Sequence, residues 1–173
     1  MCNDVNFMNI FQLFYLMIPA YVANMAPVLA RKIPWNTPMD FGLSLGGVRI
    51  FGDHKTWKGF IIGVVIAVLV GLGLSHIYWP FEFSAITWSL AAGAGALLGD
   101  AIKSFFKRRV GIKSGQPWIP FDQLDYSVGA IALGSTVFFI GWLNSLIVIV
   151  VNVLGHIVVN HSAYYLGIRD EKW

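Results

Sequence analysis

Asp100, Asp122 and Asp125 stand in a 26-residue stretch that also holds Lys103, Lys107, Arg108, Arg109 and Lys113. Asp100 closes one apolar run, and the other two acids sit where the next run begins. Carboxylates within a turn of hydrocarbon are expensive and mark function. Asp122 and Asp125, spaced i, i+3, share a helix face, and Pro120 is suited to open that helix. Two readings fit the mixed cluster. One is internal ion pairing with attraction to anionic lipid, worth about 1 kcal/mol per cation near the surface. The other is a magnesium site, in which one or two carboxylates and substrate phosphates hold the ion. Lysines then compensate the remaining phosphate charge. The run Val110-Gly111-Ile112-Lys113-Ser114-Gly115 offers backbone N–H groups to phosphates. It lacks the G-x-x-x-x-G-K-[ST] order of a P-loop.

The elements that position these groups are transmembrane helices. The 173 residues are 57% hydrophobic and 12% charged, with a mean hydropathy of +0.66. Soluble domains carry about 25% charged residues, so this composition excludes a disordered chain, a soluble nucleic-acid module and a secreted disulfide scaffold. The single cysteine, Cys2, closes no internal disulfide, and the four histidines show no zinc spacing. About 20 apolar residues cross a bilayer. Five runs qualify: Ile10–Ala30, Phe60–Trp79, Ser84–Phe105, Tyr126–Leu143 and Ser145–Leu166. The first lacks a basic n-region and is too long for a cleavable signal.

All twelve Lys and Arg fall between spans one and two, around the end of span three and its following loop, or in the tail. The N-terminus, the link at Pro80–Phe83 and the expected turn at Asn144 have none. The positive-inside rule then predicts an all-α polytopic fold of five spans, with the N-terminus outside, the C-terminus cytoplasmic and two long cytoplasmic loops. Residues 1–173 read as one domain.

Small residues recur at four-residue spacing in Gly59/Gly63, Ala67/Gly71 and Gly95/Gly99, which predicts close helix packing in lipid. Asn152, His156 and Asn160 stripe one face of span five, either for interhelical hydrogen bonds or to line a polar cavity. Asn24, just before Pro27, either contacts a nucleotide or satisfies a proline-loosened backbone. The Arg31–Lys58 segment exceeds ordinary loop lengths and suits a cap over the site. Trp57 and Trp118 read as interfacial anchors, and His54 as a solvated loop residue.

Two elements carry a family resemblance. The run from Asp100 through Lys107-Arg108-Arg109, Gly111-Ile112-Lys113 and Ile119-Pro120 to Asp122-Gln123-Leu124-Asp125 resembles the signature of the CTP-dependent phosphatidate cytidylyltransferase superfamily. That signature runs G-D, K-R, G-I-K, I-P and D-R-x-D. Upstream, Lys55-Thr56-Trp57-Lys58-Gly59-Phe60 is similar to the superfamily's K-T-W-E-G element. The match covers roughly residues 53–127. The superfamily's G-H-G-G insertion is absent and Gln123 stands where arginine is usual. With the short chain, these departures resemble the archaeal, CDP-archaeol synthase branch.

The resemblance implies a cell-membrane enzyme, with its site facing the cytoplasm, that transfers the cytidylyl group of CTP to an isoprenoid ether lipid phosphate. It implies Mg2+ as cofactor, with Asp100, Asp122 and Asp125 as ligands. Lys55, Lys107 and Lys113 would neutralise phosphates, and Thr56, Gly111, Ser114 and Asn24 would contact CTP. Arg108 and Arg109 would serve the lipid phosphate or anchor the loop. CTP, the lipid phosphate and membrane lipid are the implied partners, with no nucleic acid and no obligatory protein. Rival readings are a phosphatidate cytidylyltransferase, a CTP-dependent lipid kinase, and a transporter or channel. The last needs polar groups across the bilayer, whereas spans two to four carry no charge in their outer halves.

Overall fold

The computed structural model describes residues 8–113 and 116–165. Five helices follow in order: α1 (Ile10–Leu29), α2 (Trp57–Ile77), α3 (Ala85–Arg109), α4 (Phe121–Gly134) and α5 (Trp142–Tyr165). A hairpin of two short strands, β1 (Ser44–Leu45) and β2 (Val48–Arg49), interrupts the α1–α2 connection, where Pro38 and Thr56 also form a single antiparallel bridge; both depart from the expected all-α content. Helix starts follow local chemistry. Asn9 and Gln12 form a reciprocal capping box at α1, while the Thr56 and Ser84 side chains accept backbone N–H bonds at α2 and α3.

Among the described residues, α1, α2 and α3 are long and apolar enough to cross a membrane. Helix α3 is the hub, packing on α4, α2 and α1. Its buried face is built of Ala92, Gly93, Ala96 and Ala101, so neighbouring backbones approach closely. The four-residue spacing does what the sequence predicted. A Cβ on Gly63 would meet the Ala23 carbonyl at 2.9 Å, and one on Gly99 or Gly129 would overlap the facing backbone of the α3–α4 pair. Trp88, fully buried, donates its indole N–H to the Leu16 carbonyl at 2.8 Å and so ties α3 to α1.

The fourth run departs from expectation. Helix α4 begins at Phe121 and stops at Gly134, 14 residues or roughly 21 Å, rather than spanning Tyr126–Leu143. The Ser135 and Thr136 hydroxyls bond back to the Ile131 and Leu133 carbonyls, and Gly141 turns the chain at φ +88° before α5. Hydropathy reads on through 137–143 because the link Val137-Phe138-Phe139-Ile140 is as apolar as a helix, and the last two residues of the run already belong to α5. Asn144 is therefore no external turn. It lies inside α5, 2% exposed, donating to the Ile140 carbonyl at 2.7 Å.

Candidate active site

The acids and lysines meet where α3 ends and α4 begins. Helix α3 continues a turn beyond the expected Phe105, which places Asp100, Lys103 and Lys107 along one face at i, i+3 and i+7. Asp122 in the first turn of α4 accepts the Trp118 N–H at 2.6 Å, a bond that orients the carboxylate. Asp125 follows one turn on, its side chain 5% exposed.

Lys103 is the centre. Its Nζ lies 3.1 Å from Asp100, 2.9 Å from Asp122 and 2.6 Å from Asp125. Lys55, arriving from the long loop, pairs with Asp100, and Lys107 stands 3.3 Å from Asp122. Three carboxylates and three ammonium groups thus converge from three parts of the chain with no net charge. Sequence reasoning missed Lys103 as a site residue: its spacing puts it on one face with Asp100 and Lys107, but only the docking of α4 gives it Asp122 and Asp125.

The other sequence-derived candidates have separate positions. Thr56 caps α2, its hydroxyl accepting the Gly59 N–H at 3.2 Å. Gly111 ends α3 at φ +76°, where Ile112 N–H bonds the Lys107 carbonyl. Lys113 is exposed, and Asn24 is half-buried in α1; both stand outside the ion-pair network. Ser114 lies outside the described residues. Arg108 and Arg109 anchor loops: Arg108 donates to the Ile112 carbonyl at 2.7 Å and Arg109 to the Arg49 carbonyl at 3.1 Å. Gln123 is buried beside the two acids, 2% exposed. Asn152 accepts the Tyr21 hydroxyl at 2.6 Å, which bears out an interhelical bond there, while the His156 and Asn160 side chains lie outside the described residues.

The cap that delivers Lys55 is built around Asp40. This buried carboxylate accepts N–H bonds from Gly42, Phe51 and Gly52 at 2.9–3.1 Å and an ion pair from Arg49 at 2.6 Å. Lys58 is also buried and closes the base of the cap, donating to the Ile33 carbonyl and Asn36. Burial alone would raise the Asp40 pKa, but Arg49 and the three backbone donors hold it well below the usual carboxylate range. The resulting stability is fully present above about pH 4, the unfolded value, and fades only as pH falls further. Asp40→Ala strands these donors and costs the cap about 2 kcal/mol. Limited proteolysis of the purified variant in detergent should cut within residues 33–56 much faster than in the wild type. Equal cutting rates would remove Asp40 from that role.

The donor set suits a hard cation, being three carboxylates with no sulfur or imidazole among the described contacts. No three such groups are closed into a preformed cage among the described residues. They surround an ammonium instead. An apolar groove of about 710 Å³ lies between α4 and α5, lined by Val128, Ile131, Phe139, Trp142 and Leu146.

Residues 6–173 match the family model described as CarS-like, CDP-archaeol synthase. The chain belongs to the CDP-archaeol synthase family. Curated CDP-archaeol synthases of Methanoculleus marisnigri and Thermofilum pendens are 40% and 38% identical to it, over 91% and 90% of this chain and 100% and 78% of theirs. That of Pyrococcus furiosus is 35% identical over 95% of this chain and 98% of its own. A solved structure described as an intramembrane enzyme for archaeal membrane lipids biosynthesis superposes with a TM-score of 0.71 at 34% identity, covering 88% of this chain and 94% of that one. With its long apolar helices, this CDP-archaeol synthase family member is a multi-pass membrane protein.

Proposed function

We propose that the chain transfers the cytidylyl group of CTP to 2,3-bis-O-geranylgeranyl-sn-glycerol 1-phosphate, giving CDP-archaeol and pyrophosphate. The observation that carries this reading is the neutral cluster of three carboxylates and three lysines at one end of an intramembrane bundle, assembled from both sequence elements of the family.

An oxygen of the lipid phosphate attacks the α-phosphorus of CTP. The bond from that phosphorus to the oxygen bridging the β-phosphate breaks, and pyrophosphate leaves with the electron pair. The nucleophile is already largely a dianion at neutral pH, because a phosphate monoester has its second pKa near 6. A general base is therefore unnecessary, and no histidine touches the cluster among the described residues. The task is to bring two polyanions together, which is positioning and charge stabilisation. Asp100, Asp122 and Asp125 would hold magnesium, which when bound neutralises and orients the triphosphate. Lys55, Lys107 and Lys113 present ammonium groups to phosphate oxygens, while Thr56, Gly111, Ser114 and Asn24 contact the nucleotide. The cap residues keep Lys55 in place, and Trp118 keeps Asp122 turned toward the cluster.

Purified protein given CTP and magnesium should release pyrophosphate and form a CDP-lipid with geranylgeranyl diether phosphate, less with diacylglycerol phosphate, and not with the unphosphorylated diether. Product from the diacyl lipid alone would move the assignment to the phosphatidate branch. Phosphorylation of the free alcohol would make this a lipid kinase.

The same reading places the cluster on the cytoplasmic face, with five crossings and the N-terminus outside. In a Cys2→Ser background, cysteines at Glu82 and Trp142 should label from outside and one at His54 from the cytoplasm. Trp142 suits labelling because it is 83% exposed. Outside labelling at His54 would invert the scheme.

A further inference from the structure

The Lys103 ammonium has three protons to donate and three carboxylates within reach, so its bonding capacity is matched by its surroundings. Lys55 and Lys107 each pair with a single acid, Asp100 and Asp122 respectively. Removing Lys103 would leave three carboxylates facing two ammonium groups in a poorly hydrated pocket, since its side chain is only 15% exposed. The oxygens that Lys103 engages are also those a hard divalent cation would take. An ammonium and a divalent ion repel strongly at contact distance. The second oxygens of these acids are already taken, by Lys55 on Asp100, by Lys107 and the Trp118 N–H on Asp122, and by the Tyr126 N–H on Asp125, so the ion and Lys103 compete for the same ones.

We propose that Lys103 is a built-in counter-cation, which holds Asp100, Asp122 and Asp125 together in the ion-free protein and must withdraw when a divalent ion binds. The inference rests on the reading of these acids as the ion's ligands. It makes Lys103 a competitor of the ion and a positioning residue for the acids. Ion uptake then releases a lysine at the place where phosphates arrive.

Manganese titrated into detergent-solubilised protein, with free ion followed by electron paramagnetic resonance, tests this without turnover. Lys103→Met should bind manganese about tenfold more tightly than the wild type, whereas Lys103→Arg, which keeps the charge, should bind no more tightly. Without ions Lys103→Met should melt below the wild type, and manganese should raise its melting temperature by more than it raises the wild type's. Equal or weaker binding in Lys103→Met overturns the competition while leaving the acids as ligands. No binding by any of the three proteins overturns the reading of the acids themselves, and this inference with it. A measurement on the wild type covers the case in which Lys103→Met does not fold. Acetylation of Lys103 by acetic anhydride, read by peptide mass spectrometry, should accelerate when manganese is added. An unchanged or slower rate overturns the proposal.

Discussion

Asp100→Asn and Asp122→Asn should each lower turnover at least about a hundredfold, or roughly 2.7 kcal/mol of transition-state stabilisation, while leaving a folded protein. Each substitution keeps the shape of the side chain and removes one negative charge. In the ion-free state the loss leaves Lys55 or Lys107 facing a neutral amide. On the proposed reading it also weakens the hold on magnesium and hence on the triphosphate. The two variants should behave alike, because both acids contact Lys103. The measurement is CDP-lipid formation at saturating CTP and lipid over a magnesium series, with melting temperature recorded in parallel. Either variant retaining more than about a tenth of wild-type activity, less than roughly 1.4 kcal/mol lost, would show that its carboxylate does not hold the ion.

A substitution that touches none of these charges should be as damaging. At Gly129 a Cβ would overlap the Gly95 carbonyl, because the backbones of α3 and α4 touch there. Gly129→Leu must push the two helices apart, at a cost of about 3 kcal/mol. That movement also withdraws Asp122 and Asp125, carried on α4, from Lys103 on α3. We expect a much lower melting temperature and loss of turnover together. Gly73→Ala is the matched control, since a Cβ there meets nothing within 4 Å; it should stay within about 0.5 kcal/mol of wild type. A Gly129→Leu protein with unaltered melting and activity would contradict the close α3–α4 contact.

Much of this was legible because membrane physics writes itself into hydropathy and glycine spacing. The first three runs lie within a few residues of α1, α2 and α3, and Gly95/Gly99 marked the tight crossing. The acids that converge were identifiable from their positions at helix ends. Three things were not legible. The end of α4 is set by hydroxyl back-bonding and a left-handed glycine within an unbroken apolar run, where hydropathy is blind. The role of Asp40 depends on backbone N–H groups 11 and 12 residues away, which side-chain types do not encode. Lys103 read as one more basic residue because its meaning lies in where α4 brings Asp122 and Asp125, a tertiary fact.

The cap has a consequence for the order in which the protein is built. Its internal bonds join residues at most 25 positions apart, as from Lys58 to Ile33, so closing it costs little chain entropy. It has all its own parts once α2 has been synthesised, before α3 leaves the ribosome. Lys55 then waits for Asp100, 45 residues further on. Lys103, in turn, gains its second and third acids only when α4 docks. The charged centre is therefore completed late, from pieces that have each already found a stable setting. A chain interrupted before α4 would carry a finished cap and an unfinished cluster of charges.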